Sequence, residues 1–223
     1  MIRRLIFPSL LGLVGIGVLC SLGIWQVQRM QWKAAILTDI TSRIAAEAAA
    51  LPGVPDPVAD RYLPVFVEGR FIDRDIDVLS STREGGPGVR VIAGFETADG
   101  RRIMVDRGYL PEVQRRAPRV AEAARVVGNL QWPVDGDQYT PPPDARTGLW
   151  FSRDVGAMAA ELGTEATLIV AREPTGDGIL PVPVDTSGIP NDHWGYAITW
   201  FLLATVWAGM TGYLLWRIRQ RTA

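Results

Sequence analysis

The chain has few of the residues that most often carry chemistry, since its 223 residues include one cysteine and one histidine. The cysteine, Cys20, cannot form a disulfide within the chain or build a two-cysteine copper or redox site. A zinc site needs three or four ligands, more than one histidine and one cysteine supply. A Ser-His-Asp triad would have only His193 as its base. The sequence therefore favours neither a disulfide scaffold, a zinc protein nor a triad hydrolase.

A surplus of positive charge is also missing, because 23 Lys and Arg residues stand against 24 Asp and Glu, for a net charge of −1. Nucleic-acid binding relies on basic residues that neutralise phosphates, so no nucleic-acid partner is expected. The glycine-rich stretches 85–88 and 176–178 lack the strand-to-helix setting of a phosphate loop and are interpreted as turns. Asp73, Asp75 and Asp77 alternate without the glycine and closing glutamate of a calcium loop, which indicates a solvated strand face.

What the chain has instead is two long stretches without a formal charge, Leu5–Ile24 and Tyr196–Trp216. At a rise of about 1.5 Å per residue, about 20 residues span the hydrocarbon core of a bilayer. A signal peptide is the alternative for the first stretch, but its apolar part is usually about 7–15 residues long and ends at small residues. Here Trp25, Gln26 and Arg29 follow. We therefore predict that both stretches are transmembrane helices.

Basic residues flank the outer ends of both stretches. Arg3 and Arg4 precede the first, and Arg217, Arg219 and Arg221 follow the second. The positive-inside rule then places both termini in the cytoplasm, and the long middle segment on the other side of the membrane. No Arg- and Ser-rich transit segment precedes the first stretch, which favours a bacterial inner membrane with a periplasmic main domain.

The helical pattern continues beyond the first span, as a stalk that prolines after residue 51 would end. Trp25 and Trp32 share one helix face, with Arg29 between them. One interpretation is an aromatic belt at the membrane surface above a stalk that packs on the domain. The other is that Gln26 and Arg29 face a ligand or partner there, because a cation beside indoles suits a carboxylate or a lipid headgroup.

The middle of the chain has the period-two alternation of short strands. Asp99-Gly100 predicts a hairpin turn, Pro64 indicates an edge strand, and Asp154 and Gly163 cap a short helix at 154–162. We predict an α+β membrane protein: two transmembrane helices flank a periplasmic antiparallel β-rich domain, with a partly closed barrel as one arrangement of its sheet. The predicted strands are 62–69, 76–79, 88–96, 102–108, 125–130 and 167–171.

These predictions divide the chain into six parts. They are a cytoplasmic N-terminus at 1–4, a first transmembrane helix at 5–24, a periplasmic stalk helix at 25–51, a periplasmic β-rich domain at 52–190, an interface segment with the second transmembrane helix at 191–216, and a cytoplasmic C-terminus at 217–223.

The one histidine, His193, stands three residues before the second apolar stretch, at the expected membrane surface. An interfacial polar side chain is the plain interpretation. The alternative is a haem ligand, because a porphyrin holds its iron with four nitrogens and needs a single axial donor from the protein. Trp25, Tyr196 and Trp200 would then line the macrocycle, and Arg29 would meet its propionates.

Three segments together resemble a known family, the Surfeit-locus-one family of cytochrome c oxidase assembly factors. Residues 22–33 read Leu-Gly-x-Trp-Gln-x-x-Arg-x-x-Trp-Lys, which is similar to the signature at the exit of that family's first span. Residues 106–111 read Asp-Arg-Gly-Tyr-x-Pro and resemble its central motif, with Asp106 for the usual Asn and Tyr109 for the usual Trp. Residues 191–201 read Asn-x-His-x-x-Tyr-Ala-x-Thr-Trp-Phe and resemble the entry to its second span.

The resemblance implies a role in building the haem a centre of a terminal oxidase, with His193 as the ligand of the haem iron. It implies contact with oxidase subunit I and with haem a synthase, while the two apolar stretches predict contact with membrane lipid. Within the three motifs, a structural or partner-binding role is expected for the remaining residues, which are Gln26, Trp32, Arg107, Gly108 and Asn191.

Three functions follow from the sequence. The first is a chaperone, not an enzyme, that binds haem a and presents it to subunit I. The alternative is a cofactor-free membrane scaffold that stabilises an assembly intermediate of subunit I. The third, an enzyme acting on a lipid or haem, is disfavoured because acid–base residues are missing.

Overall fold

A computed structural model describes residues 2–120, 123–187, 189 and 191–222. The chain divides into two compact units, residues 1–39 with 186–223 and residues 40–185. Met1, Pro190 and Ala223, which bound three of the predicted parts, lie outside the described residues. In chain order, the elements are α1 (Ile2–Ala45), β1 (Ala49–Ala50), β2 (Pro64–Thr82), β3 (Gly86–Thr97), β4 (Arg102–Pro111), a 3₁₀ turn (Glu112–Gln114), β5 (Ala123–Leu130), β6 (Leu149–Trp150), α2 (Val155–Leu162), β7 (Leu168–Ala171) and α3 (His193–Thr222).

Both helices at the ends of the chain are long and apolar enough to cross a membrane. Each contains one of the two uncharged stretches, Leu5–Ile24 in α1 and Tyr196–Trp216 in α3. The apolar side chains along both are largely exposed in the isolated chain, as expected of surfaces that meet lipid rather than a protein core. The mixed α+β composition and the two apolar helices are thus confirmed.

Helix α1 ends at Ala45, before the predicted end of the stalk at Leu51. The carbonyl of Ile44 in its last turn accepts hydrogen bonds from the side chains of Asn129 and Arg172. The last carbonyls of a helix have no partner within the helix, and these two side chains satisfy the carbonyl of Ile44. The chain then turns, and Ala49–Ala50 pairs with β2 as the short strand β1.

The sheet closes on itself. Its pairing order runs β1-β2-β3-β4-β7-β5, and β5 pairs back onto β2. The prediction of antiparallel pairing is correct for four contacts of this ring, β2–β3, β3–β4, β2–β5 and β5–β7. It is wrong for β4–β7, and for the two short strands β1 and β6 on β2, which are parallel. The chain from β4 to β7 contains β5, β6 and α2, and is long enough for the crossover that a parallel pair requires.

Strand β2 replaces two predicted strands and runs for 19 residues. Its register on β3 shifts between Phe71 and Asp75, and this irregularity lets one strand bend around the ring. The expectation that Pro64 marks an edge strand is wrong, because β5 and β1 pair on both sides of the segment that begins there. Pro64 is the first residue of β2, a position at which a missing N–H does not interrupt a ladder.

Local signals in the domain are confirmed. Gly100 has φ +85° in the turn between β3 and β4. The carboxylate of Asp154 accepts from the N–H of Ala157 at 3.0 Å, and Gly163 ends α2 with φ +67°.

The main core draws buried residues from all five ring strands on one face of the sheet, and α2 packs on the other face through Met158 and Leu162.

Candidate functional site

The site is built on the close packing of α1 and α3 within the first unit. A Cβ atom added at Gly12 would collide with Thr211, and one added at Gly23 would collide with Phe201. The later position in α1, Gly23, meets the earlier position in α3, Phe201, and the earlier position in α1 meets the later one in α3. The two helices are therefore antiparallel. Small residues let two apolar helices approach closely, where packing rather than water drives association.

The buried positions of α3 recur every three or four residues, the spacing of a helix–helix seam. Ala197 and Ala204 are buried, and His193 and Trp200 are partly buried at the matching positions. His193 is therefore the last seam position of α3 at its N-terminal end. Its side chain contacts α1 and is half-buried.

A hydrogen bond joins α1 and α3 at this end of the seam. Nδ1 of His193 lies 2.9 Å from Oε1 of Gln26. An amide oxygen only accepts, so Nδ1 carries the proton and donates. With the Nδ1 proton held in this way, the lone pair of a neutral imidazole lies on Nε2. Two of the predicted site residues, far apart in the sequence, are thus brought together.

Four aromatic side chains belong to the segments of α1 and α3 next to the His193–Gln26 pair in sequence. Trp25, Trp32 and Tyr196 are exposed, and Trp200 is partly buried. Among the described residues, no hydrogen bond or ring contact joins any of these rings to His193. They form an exposed aromatic surface on the same helices, and the sequence predicted all of them as site residues.

Arg29 stacks on one of these rings. Its guanidinium carbon lies 4.2 Å from the ring centroid of Trp32. The side chain of Arg29 is exposed, so the stacking leaves its N–H donors accessible to an anion. The arrangement combines a flat aromatic surface with a positive charge.

Asn191 adds a polar atom close in sequence to His193. Its Oδ1 is buried and has no hydrogen-bond partner among the described residues. A buried acceptor without a donor carries a desolvation cost of about 1–3 kcal/mol. The sequence singled out Asn191 only as part of a motif.

The central motif lies in the second unit, where Arg107 is bound inside the domain. Its side chain is 2% exposed and donates to the hydroxyl and carbonyl of Thr175 and to Asp177, each at 2.8 Å. Its guanidinium lies 4.5 Å from the ring of Phe71. A Cβ atom at Gly108, whose φ is +117°, would collide with the carbonyl of Leu180. Both residues therefore have a structural role, joining β4 to the segment 175–180.

Asp106 is fully buried, and no pattern in the sequence indicated its role. Its carboxylate lies 2.7 Å from Arg90 and 3.4 Å from Arg153, and it accepts from the N–H of Gly108 at 3.1 Å. Arg90 and Arg153 are distant in sequence, so no local pattern could have indicated this charge cluster.

The expected solvated face of Asp73, Asp75 and Asp77 is confirmed for the exposure of Asp73 and Asp75 and wrong for Asp77, which is half-buried. Arg119 binds Asp75 at 2.7 Å and Asp77 at 2.8 Å, and Arg115 binds Asp77 at 2.8 Å. Burial alone would lower the pKa of Arg119, but its hydrogen bonds and charge pairing with Asp75 and Asp77 outweigh burial and raise it. Among the residues that the structure describes, Asp73 has no ion-pair partner, whereas Asp75 is exposed and paired.

Comparison with known proteins identifies the family. The SURF1 family model matches residues 13–205. The chain is 31% identical over 225 residues to Surfeit locus protein 1 of Rattus norvegicus, covering 88% of this chain and 71% of the relative. It is 27% identical over 208 residues to a SURF1-like protein of Rickettsia felis, covering 88% of this chain and 91% of the relative. The chain therefore belongs to the SURF1 family, whose members are known generally as cytochrome c oxidase assembly factors.

Proposed function

We propose that this assembly factor binds haem a and presents it to subunit I of cytochrome c oxidase. The observation that carries the proposal is the hydrogen bond between His193 and Gln26. It leaves the Nε2 lone pair of the one histidine available at the end of a helix pair that also carries exposed aromatic rings and a cation.

The side chains at this place fit haem. Haem a supplies an iron held by its own four nitrogens, for which a single imidazole is a sufficient protein donor. The contact of Nδ1 with Gln26 sets Nε2 as the donor nitrogen of the neutral His193 ring. Trp25, Tyr196 and Trp200 offer apolar ring surfaces, and Arg29 offers the charge that carboxylates require.

The site also suits transfer. A single ligand at an exposed helix end holds a cofactor less firmly than two ligands in a closed cavity, so a partner can remove it. We propose that haem a arrives from haem a synthase and leaves to subunit I, and that the protein acts as a chaperone and not as an enzyme.

The proposed location is the inner membrane of a bacterium, with α1 and α3 in contact with lipid. Both termini lie in the cytoplasm and the sheet domain in the periplasm. Arg217, Arg219 and Arg221 follow the apolar part of α3 and support this orientation. The relative from Rickettsia felis supports a bacterial setting.

The test is purification of the full chain from cells that synthesise haem a. We expect close to one haem per protein, and loss of its absorption bands in His193→Ala. Asp192→Ala changes the exposed neighbouring residue and serves as the control, which should keep the bands. An unchanged spectrum in His193→Ala would refute the role of His193.

The second candidate is a cofactor-free scaffold that stabilises an assembly intermediate of subunit I. It is favoured by the large apolar side chains exposed along both helices, which suit packing against the helices of a membrane partner. Colourless protein that still restores oxidase assembly would support the scaffold over the haem chaperone.

A further inference from the structure

We propose that Gln26 is a positioning residue for His193. Its amide oxygen holds the Nδ1 proton of the imidazole, and so fixes which nitrogen, Nε2, is presented as an electron-pair donor. This inference rests on the proposed function for the identity of the acceptor, the iron of haem a.

The hydrogen bond determines the tautomer. A neutral imidazole carries one proton, on either Nδ1 or Nε2, and only the nitrogen without the proton can bind a metal. The 2.9 Å contact of Nδ1 with the acceptor Oε1 of Gln26 stabilises the form with the proton on Nδ1. Without that acceptor, His193 would also populate the form in which Nε2 is blocked.

The packing of the helices explains why these two side chains meet. Gly23 lies one turn before Gln26 on α1, and a side chain there would collide with Phe201 of α3. Ala197 lies one turn after His193 on α3 and is 1% exposed. These contacts fix the distance and rotation of the helices next to the pair, so the geometry does not depend on two free surface side chains.

Partial burial strengthens the effect. Both Gln26 and His193 are partly shielded from solvent, so water competes less for the Nδ1 proton than at a fully exposed site. Histidines that bind metals usually donate their second N–H to such a partner, which orients the ring and raises its basicity. Gln26 supplies that partner from within this chain.

A rival explanation is that the bond only holds α1 and α3 together, as polar side chains do between membrane helices. That role would alter stability when Gln26 is changed. It would not select a tautomer, and it would not change the reduction potential of a bound iron.

The first experiment uses the full chain without haem. Because His193 is the one histidine, the imidazole signals in a ¹⁵N NMR spectrum of histidine-labelled protein belong to it without further assignment. We expect the form protonated at Nδ1 in the unaltered chain and a mixture of both forms in Gln26→Leu. Gln28→Leu makes the same change at an exposed position of α1 and should leave the spectrum as it is. An Nε2-protonated form in the unaltered chain would overturn the proposal.

The second experiment uses protein loaded with haem a at constant pH. We expect Gln26→Leu to weaken haem binding by about 10- to 100-fold, the usual effect of losing an outer-shell partner. The reduction potential should fall in Gln26→Glu, because a carboxylate raises imidazole basicity, and should rise in Gln26→Leu. Gln28→Leu should match the unaltered chain in both measurements.

The outcomes separate this inference from the proposed function. Failure of the unaltered chain to retain haem would refute the proposed function, and with it the role of Gln26 toward iron. Haem that depends on His193 but keeps its affinity and potential in Gln26→Leu would refute the role of Gln26 alone.

Discussion

At the scale of single residues, the central motif uses its polar groups inside the domain. The Arg107 guanidinium contacts Thr175, Asp177 and Phe71 and leaves 2% of its side-chain surface exposed. A partner that docks on this face would not reach its charge. The motif therefore stabilises the conformation of residues 175–180. If changing the motif impairs oxidase assembly, we expect the cause to be a destabilised fold.

Gly108 gives a direct test of this structural role. We expect Gly108→Ala to destabilise the chain by about 2–5 kcal/mol, since strain at positive φ adds to a collision with the Leu180 carbonyl. Gly100→Ala is the control, because Gly100 also has positive φ but open space around it, and should cost about 1–2 kcal/mol. Thermal unfolding of the full chain in detergent measures both. Equal losses of stability in the two variants would contradict the prediction, because they would mean that the backbone shifts to avoid the collision with Leu180.

The buried charge cluster makes a second prediction. Asp106→Ala leaves Arg90 and Arg153 without their shared carboxylate, and should cost about 3–5 kcal/mol. Asp106→Asn should cost less, because an amide oxygen can still accept from the N–H of Gly108. Glu161→Ala removes a partner of the exposed 3.9 Å pair with Arg74 and should change stability by about 0–1 kcal/mol. A small loss in Asp106→Ala, measured by thermal unfolding, would contradict the prediction.

The sequence predicted residues of the site but not their contacts. His193 stood out because it is the one histidine and precedes an apolar stretch, and Gln26 because it lies in a motif. Their hydrogen bond depends on how two helices from opposite ends of the chain rotate against each other. Small residues such as Gly23 and Ala197 set that rotation, and composition alone does not show which of many small residues lie in the seam.

At the scale of secondary-structure elements, the seam of α1 and α3 is the feature on which the site depends. Ala204→Leu puts a large side chain at a buried position and should push the helices apart. Oxidative cross-linking of Gly12→Cys with Thr211→Cys, in a Cys20→Ser background, reports their approach. We expect the cross-linking yield to fall in Ala204→Leu. Ala208→Leu, at an exposed position, is the control, and equal yields in both would refute this seam.

A carboxylate in the loop before β6 should make the stability of the chain depend on pH. The backbone N–H of Arg146 and the hydroxyl of Thr147 donate to Asp144 and hold the pKa of its carboxyl below the usual range. A lowered pKa means stabilisation that is present above the ordinary aspartate value of about 3.9 and is lost as pH falls below it.

We therefore expect Asp144→Ala to lower the thermal midpoint at pH 6, with a difference from the unaltered chain that shrinks as pH falls below about 4. Asp73→Ala removes an exposed aspartate and should show no such trend. A difference that stays constant down to pH 3 would contradict the assignment to this carboxylate.

Elements with a complete local signal were predicted well, and those defined by distant pairing were not. The turn at Gly100 and the two caps of α2 need only their own neighbours in sequence. The continuity of β2 was missed because its pairing passes from β5 to β3 and β6 through a register shift. The predicted strands ended at residue 69 and resumed at residue 76, although the register shift between Phe71 and Asp75 lies within one strand.

At the scale of the whole molecule, the antiparallel packing of α1 and α3 constrains the topology. Gly23 meets Phe201 and Gly12 meets Thr211, so two crossings would return the chain to the side on which it began. Packing alone does not say which side that is. The arginines after the apolar part of α3 support the proposed cytoplasmic side, because cytoplasmic flanks carry the excess of basic residues.

Reporter fusions test this orientation. Alkaline phosphatase, which is active only in the periplasm, should be active when inserted in the exposed loop at residues 135–139 and inactive when fused after residue 223. Changing Arg217, Arg219 and Arg221 to Gln should weaken this preference, because it removes the basic flank of α3 and leaves its apolar length unchanged. Activity at the C-terminal fusion of the unaltered chain would mean that α3 does not return to the cytoplasm. The end of the seam that carries His193 and Gln26 would then no longer be fixed at the periplasmic surface, where the proposed transfer of haem a takes place.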